Sequence, residues 1–206
     1  MTRLLVTQRV IENNKYAERR DGLDQRWNQF FLKFGYVPIL LPNNIKVSNM
    51  LIDQLEFDGI LLTGGNSLSG DTGLAPERDE LEHYCIERAI TDGFPILGVC
   101  RGMQVIQTHF GATLSRVTGH VNPTQKVLLE NTERIVNSFH DWGTCSTPSE
   151  LRVWGKSEDG VVKAVKHKKH QIIGIMWHPE RMAPFDQNDA DIFSNCFVNE
   201  HYGARQ

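Results

Sequence analysis

The sequence lacks the features of a membrane-spanning or disulfide-stabilised protein. No apolar run approaches the ~20 residues that a membrane-spanning helix needs, and residues 1–6 indicate a first strand rather than a signal peptide. The chain has only four cysteines, and they show neither C-x-x-C spacing nor a disulfide framework. We therefore expect a reducing, cytoplasmic location without membrane contact.

The sequence also lacks an excess of one charge. Its 22 Lys and Arg residues against 25 Asp and Glu residues leave a net charge of −3, so we expect no nucleic-acid partner.

The chain has no internal repeat, low-complexity tract or linker, which predicts a single domain over residues 1–206. His167 and His170 have no carboxylate or cysteine nearby at ligand spacing, so we expect no metal. No cofactor is expected either.

The pattern of apolar residues predicts an α/β fold. In the first half, short apolar runs alternate with segments of helical period, for which we expect an open, mostly parallel sheet covered by helices on both faces. In the second half, strand-like runs separated by turns predict additional antiparallel strands, followed by a last helix over 185–202. The predicted strands are 4–7, 37–41, 59–63, 95–99, 127–129, 134–136, 151–154, 161–165 and 172–176.

A candidate nucleophile lies between two glycines at residues 98–102, Gly-Val-Cys-Arg-Gly. An apolar run precedes this segment and a helical pattern follows it, as in the strand, sharp turn and helix of a nucleophile elbow. Such a turn leaves no room for a Cβ on either side of the nucleophile. Cys100 would then lie at a helix N-terminus, which favours its thiolate form.

The base and its orienting group are predicted from Trp-His-Pro-Glu at residues 177–180, directly after the last apolar run. In an extended segment, His178 and Glu180 would point to the same face, and we expect the intervening proline to keep the segment extended. Glu180 could then hydrogen-bond one imidazole nitrogen while the other faces Cys100. His140 is the alternative candidate for the base.

An oxyanion hole is predicted from Thr-Gly-Gly-Asn at residues 63–66, after the third apolar strand. The backbone N–H groups of Gly65 and Arg101 would hold the oxyanion of a tetrahedral intermediate. All three segments follow predicted strands, and ligands of open α/β sheets bind outside the carboxyl ends of the strands. We therefore expect the three segments to meet at one edge of the sheet.

These three motifs, in this order and spacing, resemble the class I glutamine amidotransferase superfamily over nearly the whole chain. The resemblance implies a flavodoxin-like fold, γ-glutamyl substrates, a glutamyl-thioester intermediate and a Cys–His–Glu triad carried by Cys100, His178 and Glu180. It further implies that a pocket for the glutamyl group includes Asn66, Gln104, Asn137, Ser138, Phe139 and His140.

Within this superfamily the chain is similar to stand-alone γ-glutamyl hydrolases. Val-Thr-Gln-Arg at 6–9 and Asn-Ser-Phe-His at 137–140 carry this similarity. Lys-His-Lys at 166–168, followed by the run from Gly174 to Arg181, is similar to γ-glutamyl-CDP-amidate hydrolases. Those enzymes release cytidine diphosphoramidate for capsule phosphoramidate modification. A γ-glutamyl-γ-aminobutyrate-type hydrolase, a glutaminase subunit serving a separate synthetase and a non-catalytic binding module are the alternatives. The sequence does not decide whether the chain forms a homodimer.

Two groups of basic residues are candidates for contacts to an anionic, nucleotide-linked substrate. Arg19 and Arg20 follow the first strand and should lie at the active edge, although a surface loop at the entry to a helix is equally compatible with them. A second group is a basic run near the end of the strand region, for which a charged hairpin turn is favoured over substrate contact. This run comprises Lys163, Lys166, Lys168 and Lys169.

Overall fold

A computed structural model describes residues 1–68 and 74–197 of the chain. Nine strands form one sheet in the order β4-β1-β5-β6-β13-β12-β11-β8-β9. The strands of this sheet are β1 (Thr2–Val6), β4 (Tyr36–Leu40), β5 (Gly59–Leu62), β6 (Ile96–Val99), β8 (Val121–Leu129), β9 (Thr132–Phe139), β11 (Leu151–Ser157), β12 (Val162–His167) and β13 (Ile172–Ile175). Four short strands pair outside it, namely β2 (Arg9–Asn13) with β3 (Glu18–Gly22) and β7 (Ser115–Arg116) with β10 (Trp142–Gly143).

The first half of the sheet is parallel, from β4 through β1, β5 and β6 to β13. All four residues of β5, of β6 and of β13 are buried, as expected for strands covered on both faces. The remaining strands, β12, β11, β8 and β9, are antiparallel to their neighbours. The predicted α/β class, with extra antiparallel strands in the second half, is confirmed.

Among the described residues, five α-helices cover the parallel half. They are α1 (Arg26–Phe34), α2 (Ile45–Gln54), α3 (Pro76–Asp92), α4 (Arg101–His109) and α5 (Gln187–Phe197). Helix α3 packs on α2 and on α4. Helices α1 and α5 meet through aromatic rings, with the centroids of Phe30 and Phe193 4.8 Å apart. No helix in the described part of the chain is long and apolar enough to cross a membrane.

Two local predictions were wrong. The segment containing Arg19 and Arg20 is strand β3 of a hairpin rather than a loop. Residues Pro179–Arg181 form one turn of 3-10 helix rather than an extended segment, because the fixed φ of proline suits the first position of a helical turn.

The last helix is shorter than predicted within the described residues. It begins at Gln187, after Phe185, and is described as far as Phe197. The predicted continuation over 198–202 lies outside the described residues.

Helix α4 lies against the sheet at two glycines. A Cβ on Gly102 would lie 2.3 Å from the carbonyl oxygen of Leu62 on β5, and one on Gly98 would lie 2.6 Å from the backbone of Gly102. Real Cβ atoms do not approach backbone this closely, so both positions require glycine. This contact sets how near the start of α4 comes to the ends of β5 and β6.

The clash predicts that Gly102→Ala destabilises the protein, because α4 would have to move away from β5. We expect a loss of about 1–3 kcal/mol in the free energy of unfolding, the usual range for overpacking, measured by urea denaturation. Thr108→Ala, at a half-buried position of the same helix, is the control and should change little. Equal stability of both variants would contradict the close contact.

Candidate active site

The three predicted segments meet at the carboxyl edge of three neighbouring parallel strands. Residues 63–66 follow β5, Cys100 follows β6 and His178 comes shortly after β13. These strands are adjacent in the order β5-β6-β13. The prediction that the segments share one edge agrees with this arrangement, because parallel strands present their carboxyl ends on the same side.

Cys100 occupies a strained turn between β6 and α4. Its φ of 54° and ψ of −105° are rare for a residue with a side chain. Its N–H donates to the carbonyl of Ile175 on β13 at 2.8 Å, and its carbonyl accepts from Gln104 N at 3.1 Å. These bonds hold the side chain at the start of α4, with 6% of the residue exposed.

His178 is held on both sides. Its Nδ1 lies 2.7 Å from Oε1 of Glu180, which the 3-10 turn brings back towards the ring. The side chain of Asn137 pairs with the backbone of His178, accepting from its N–H and donating to its carbonyl, both at 2.8 Å. His178 and Glu180 are both 2% exposed. The imidazole therefore has a fixed orientation towards Cys100.

Cys100 and His178 stabilise each other's charged forms. Burial opposes ionisation of Cys100, but the neighbouring His178 outweighs it, and the net effect lowers the pKa of the thiol. The N–H of Arg101 also donates to the sulfur. Burial likewise disfavours the imidazolium, but the charges of Cys100 and Glu180 raise the pKa of His178 to about 10. The site therefore favours a thiolate–imidazolium pair.

The loop after β5 is held by a buried arginine. The guanidinium of Arg78 on α3 donates to the carbonyls of Thr63 and Gly65 at 2.6 Å and to that of Gly64 at 3.2 Å. Gly65 has φ +88°, and a Cβ on Gly64 would lie 2.7 Å from the ring of His178. Arg78 therefore fixes the backbone of the predicted oxyanion loop against the catalytic histidine candidate.

A single buried carboxylate joins this loop to the elbow. Glu82 accepts from Arg78 Nε at 2.8 Å, from Thr7 Oγ1 at 2.7 Å and from the guanidinium of Arg101. Burial opposes its ionisation, but Arg101 and Arg78 lower its pKa below the ordinary value. The side chain of Arg101, which also contacts Asp79, thus lies beneath the site, while its backbone N–H faces the sulfur.

A cavity of about 430 Å³ opens at Cys100. Of the predicted site residues, it is lined by Gly65, Asn66, Cys100, Arg101, Gln104, Phe139, His140 and His178. Gln104 Nε2 donates to the carbonyl of Trp142 at 2.8 Å, and His140 Nδ1 donates to the same oxygen at 2.8 Å. The Asn66 amide pairs with the backbone of Val10 on β2.

Four predicted substrate-contacting residues lie away from this cavity. Asn137 supports His178, as described above, and Ser138 Oγ donates to the carbonyl of His120 at 2.8 Å. Arg19 forms ion pairs with Glu12 and Glu77, and Arg20 pairs with Glu18. Contact of Arg19 or Arg20 with substrate therefore stays a prediction.

The sequence analysis missed several residues of the site. Arg116 and Arg181 line the cavity from β7 and from the 3-10 turn. Arg78 and Glu82 lie on the buried face of α3 together with Cys85 and Ala89. Their spacing of 78, 82, 85 and 89 was a usable signal, because charges on an apolar helical stripe must find buried partners.

The fold and the elbow at the carboxyl edge of the sheet define a class I glutamine amidotransferase. The family model "Glutamine amidotransferase class-I" matches residues 20–199, and the chain belongs to this family. The solved structure of a glutamine amidotransferase from Thermotoga maritima shares the fold, with a TM-score of 0.65 and 16% identity over 98% of this chain and 86% of that one. The predicted family is thereby confirmed.

Two curated relatives are γ-glutamyl amide hydrolases. A γ-glutamyl-CDP-amidate hydrolase of Campylobacter jejuni is 33% identical over 181 residues, covering 85% of this chain and 88% of the relative. A γ-glutamyl-γ-aminobutyrate hydrolase of Escherichia coli is 29% identical over 211 residues, covering 83% of each. The relatives support hydrolysis of γ-glutamyl amides as the broad activity.

The lowered pKa of Cys100 predicts reactivity at unusually low pH. Its thiolate persists as pH falls until the lowered pKa is crossed, so iodoacetamide should alkylate Cys100 below the ordinary thiol pKa of about 8.5. His178→Gln removes the group that favours ionisation and should move the midpoint of the pH profile upward. Peptide mass spectrometry reads the rate, with the exposed Cys145 as the reference thiol. An unchanged midpoint in His178→Gln would refute the pairing.

Proposed function

We propose that the protein hydrolyses a γ-glutamyl amide with Cys100 as nucleophile, His178 as acid and base, and Glu180 as the group that orients His178. The observation that carries this proposal is the buried Cys100–His178–Glu180 arrangement at the floor of the cavity. The strained turn, the 2.7 Å bond from His178 to Glu180 and the lowered pKa of the thiol all support it. Each feature favours nucleophilic attack by sulfur.

The reaction proceeds in two steps. The Cys100 thiolate attacks the γ-carbonyl carbon, and the His178 imidazolium protonates the leaving nitrogen as the C–N bond breaks, which leaves a γ-glutamyl thioester. Neutral His178 then takes a proton from water as the water attacks the thioester. Collapse releases glutamate and returns the thiolate–imidazolium pair. Glu180 holds the imidazole throughout and stabilises its charged form.

The oxyanion of each tetrahedral intermediate is held by the N–H groups of Gly65 and Arg101. Two contacts support this assignment. Arg78 binds the carbonyls of residues 63–65, which fixes the peptide planes of that loop, and the N–H of Arg101 already faces the sulfur. Because these donors are fixed before the reaction, they need no reorganisation when negative charge develops.

The substrate that we propose is γ-glutamyl-CDP-amidate, with cytidine diphosphoramidate as the leaving group. The similarity to the Campylobacter jejuni hydrolase over 85% of this chain supports this choice. Arg116 and Arg181, which line the cavity, also support it, because one guanidinium group can donate two parallel hydrogen bonds to phosphate oxygens. These two residues take the place of Arg19 and Arg20 as the favoured contacts to the anion.

γ-Glutamyl-γ-aminobutyrate is the second candidate substrate. The similarity to the Escherichia coli hydrolase supports it, and a single carboxylate would also pair with one of the two arginines. A glutaminase subunit that delivers ammonia to a synthetase uses the same three residues. It differs in requiring a partner for full activity.

A substrate panel with Cys100→Ala tests the reaction and the substrate together. We expect Cys100→Ala to lower kcat/KM by about 10⁴-fold or more, because residues of a triad act as a unit. Cys145→Ala, at an exposed cysteine, should retain full activity. The panel compares glutamine, γ-glutamyl methylamide, γ-glutamyl-γ-aminobutyrate and γ-glutamyl-CDP-amidate, and we expect the last to give the highest kcat/KM. A preference for the methylamide would refute the nucleotide-linked substrate, and activity in Cys100→Ala would refute the mechanism.

Arg116→Gln tests recognition of the anion. We expect KM for γ-glutamyl-CDP-amidate to rise about tenfold, since a charge-assisted hydrogen bond is lost. KM for γ-glutamyl methylamide, whose leaving group carries no anion, should not change. The methylamide controls for the contact of Arg116 with the ring of Trp142. Arg152→Gln, at an exposed residue of β11, is the matched control, and Arg20→Gln tests the hairpin. A rise in KM with Arg20→Gln alone would move recognition to the hairpin.

A further inference from the structure

Lys163 is a buried lysine behind the cavity wall. It was expected in a charged hairpin turn with Lys166, Lys168 and Lys169, but only 1% of Lys163 is exposed. The strand direction explains the difference. Strand β12 runs opposite to β13, so Lys163 near its start lies at the active edge, whereas Lys168 beyond its end lies at the far edge.

The ammonium group of Lys163 has three acceptors for its three protons. Its Nζ lies 2.6 Å from His140 Nε2, 2.8 Å from His120 Nδ1 and 3.1 Å from Ser138 Oγ. His120 Nε2 in turn lies 2.9 Å from Asp159 Oδ2 at the surface. Burial lowers the pKa of Lys163 to about 7, against the opposing charges of Asp159 and Cys100. Burying a cation costs desolvation free energy, and hydrogen bonds to all three of its protons then hold it in one position.

The lysine determines the protonation of His140. The Nδ1 of His140 must carry a proton, because it donates to the carbonyl of Trp142. Its Nε2 is then the acceptor for Lys163, and a protonated ring would set a second donor against the ammonium. Burial and the charge of Lys163 lower the pKa of His140 to about 3, with His120 and His178 as its other titratable neighbours. His140 is therefore neutral and is not free to act as a base.

The same bonds reach the cavity. The Trp142 carbonyl accepts from both His140 Nδ1 and Gln104 Nε2. The bond from Gln104 Nε2 to Trp142 fixes the plane of the amide, which leaves Oε1 and the second N–H of Gln104 for a ligand. An amide oxygen in a cavity beside the nucleophile suits the α-ammonium group of a glutamyl substrate.

We propose that Lys163 is a positioning residue that locks His140 as its neutral Nδ1–H tautomer and thereby holds Gln104 ready to bind the glutamyl α-ammonium group. This inference rests on the proposed hydrolysis of a γ-glutamyl amide. It assigns no proton transfer to Lys163 or His140. The lysine acts on recognition of the glutamyl group rather than on the reactivity of the sulfur.

Two reagents that label Cys100 separate recognition from reactivity without requiring a known leaving group. A diazoketone analogue of glutamine carries the α-amino acid group, whereas iodoacetamide does not. We expect Lys163→Met to lower the labelling rate by the diazoketone about tenfold, the effect of losing one well-aligned hydrogen bond. Labelling by iodoacetamide, compared at the plateau of each pH profile where Cys100 is fully ionised, should be unchanged.

The controls cover folding and charge. Lys168→Met removes a lysine of the same run at the far edge and should leave both rates unchanged. If Lys163→Met does not fold, Asp159→Asn at the exposed end of the network provides the test, because it removes the charge that raises the pKa of Lys163. Near pH 7, where the wild-type lysine is about half protonated and the variant is less so, it should slow labelling by the diazoketone selectively. An equal loss with both reagents would overturn the proposal.

A spectroscopic measurement tests the tautomer independently of activity. Nitrogen-15 NMR of the imidazoles should show His140 neutral and protonated at Nδ1 from pH 5 to pH 8 in the wild type. In Lys163→Met, the pKa of His140 should rise from about 3 towards its ordinary value, because the neighbouring cation is gone. An unchanged titration would overturn the role of Lys163 even if hydrolysis is confirmed. If instead the protein does not hydrolyse γ-glutamyl amides, the predicted difference in the His140 titration would still be observed, so the two failures are distinguishable.

Discussion

The buried carboxylate of Glu82 is the constraint on which the site depends. It joins Thr7 at the end of β1, Arg78 beneath the loop after β5, and Arg101 at the elbow after β6. The buried charge of Glu82 therefore fixes the ends of β1, β5 and β6 relative to one another. Removing one partner of such a cluster costs about 3–5 kcal/mol, because the remaining charges stay buried and unpaired. Stability and the geometry of the cavity thus rest on the same group.

The two halves of the sheet contribute different parts of the site. The parallel half carries the elbow, the predicted oxyanion loop and the segment with His178, all at the carboxyl ends of adjacent strands. The antiparallel half carries the wall formed by the end of β9 and the support behind it on β12. Asn137 connects the halves, because it lies on β9 and pairs with the backbone of His178. One continuous sheet therefore positions both Cys100 and the wall of the cavity at the end of β9.

Sequence patterns were sufficient where the relevant contacts are local. The elbow, the glycine pair at 64–65 and the pair His178–Glu180 each lie within five residues, so their spacing carried the inference. The hairpin of β2 and β3 was missed because its strands are charged and largely exposed. The 3-10 turn was missed because a proline after an extended residue is compatible with either an extended or a helical continuation. The predicted contact between Glu180 and His178 is present all the same, because the 3-10 turn brings the carboxylate back to the imidazole.

The sequence by itself determined the family, the α/β alternation and the candidate residues Cys100, His178 and Glu180, because short motifs and apolar periodicity record local geometry. Only the tertiary structure decided which charges are buried and what they hold. Arg78 and Glu82 are charged residues of one helix, and Lys163 is one lysine of four in a basic run, yet all three lie in the interior. Apart from the Arg78–Glu82 pair within α3, their partners come from other elements of the fold. The spacing of Arg78 and Glu82 with the apolar residues of α3 indicates a buried face, but the groups that these charges meet depend on the direction and order of strands far apart in the chain. No local pattern contains that information.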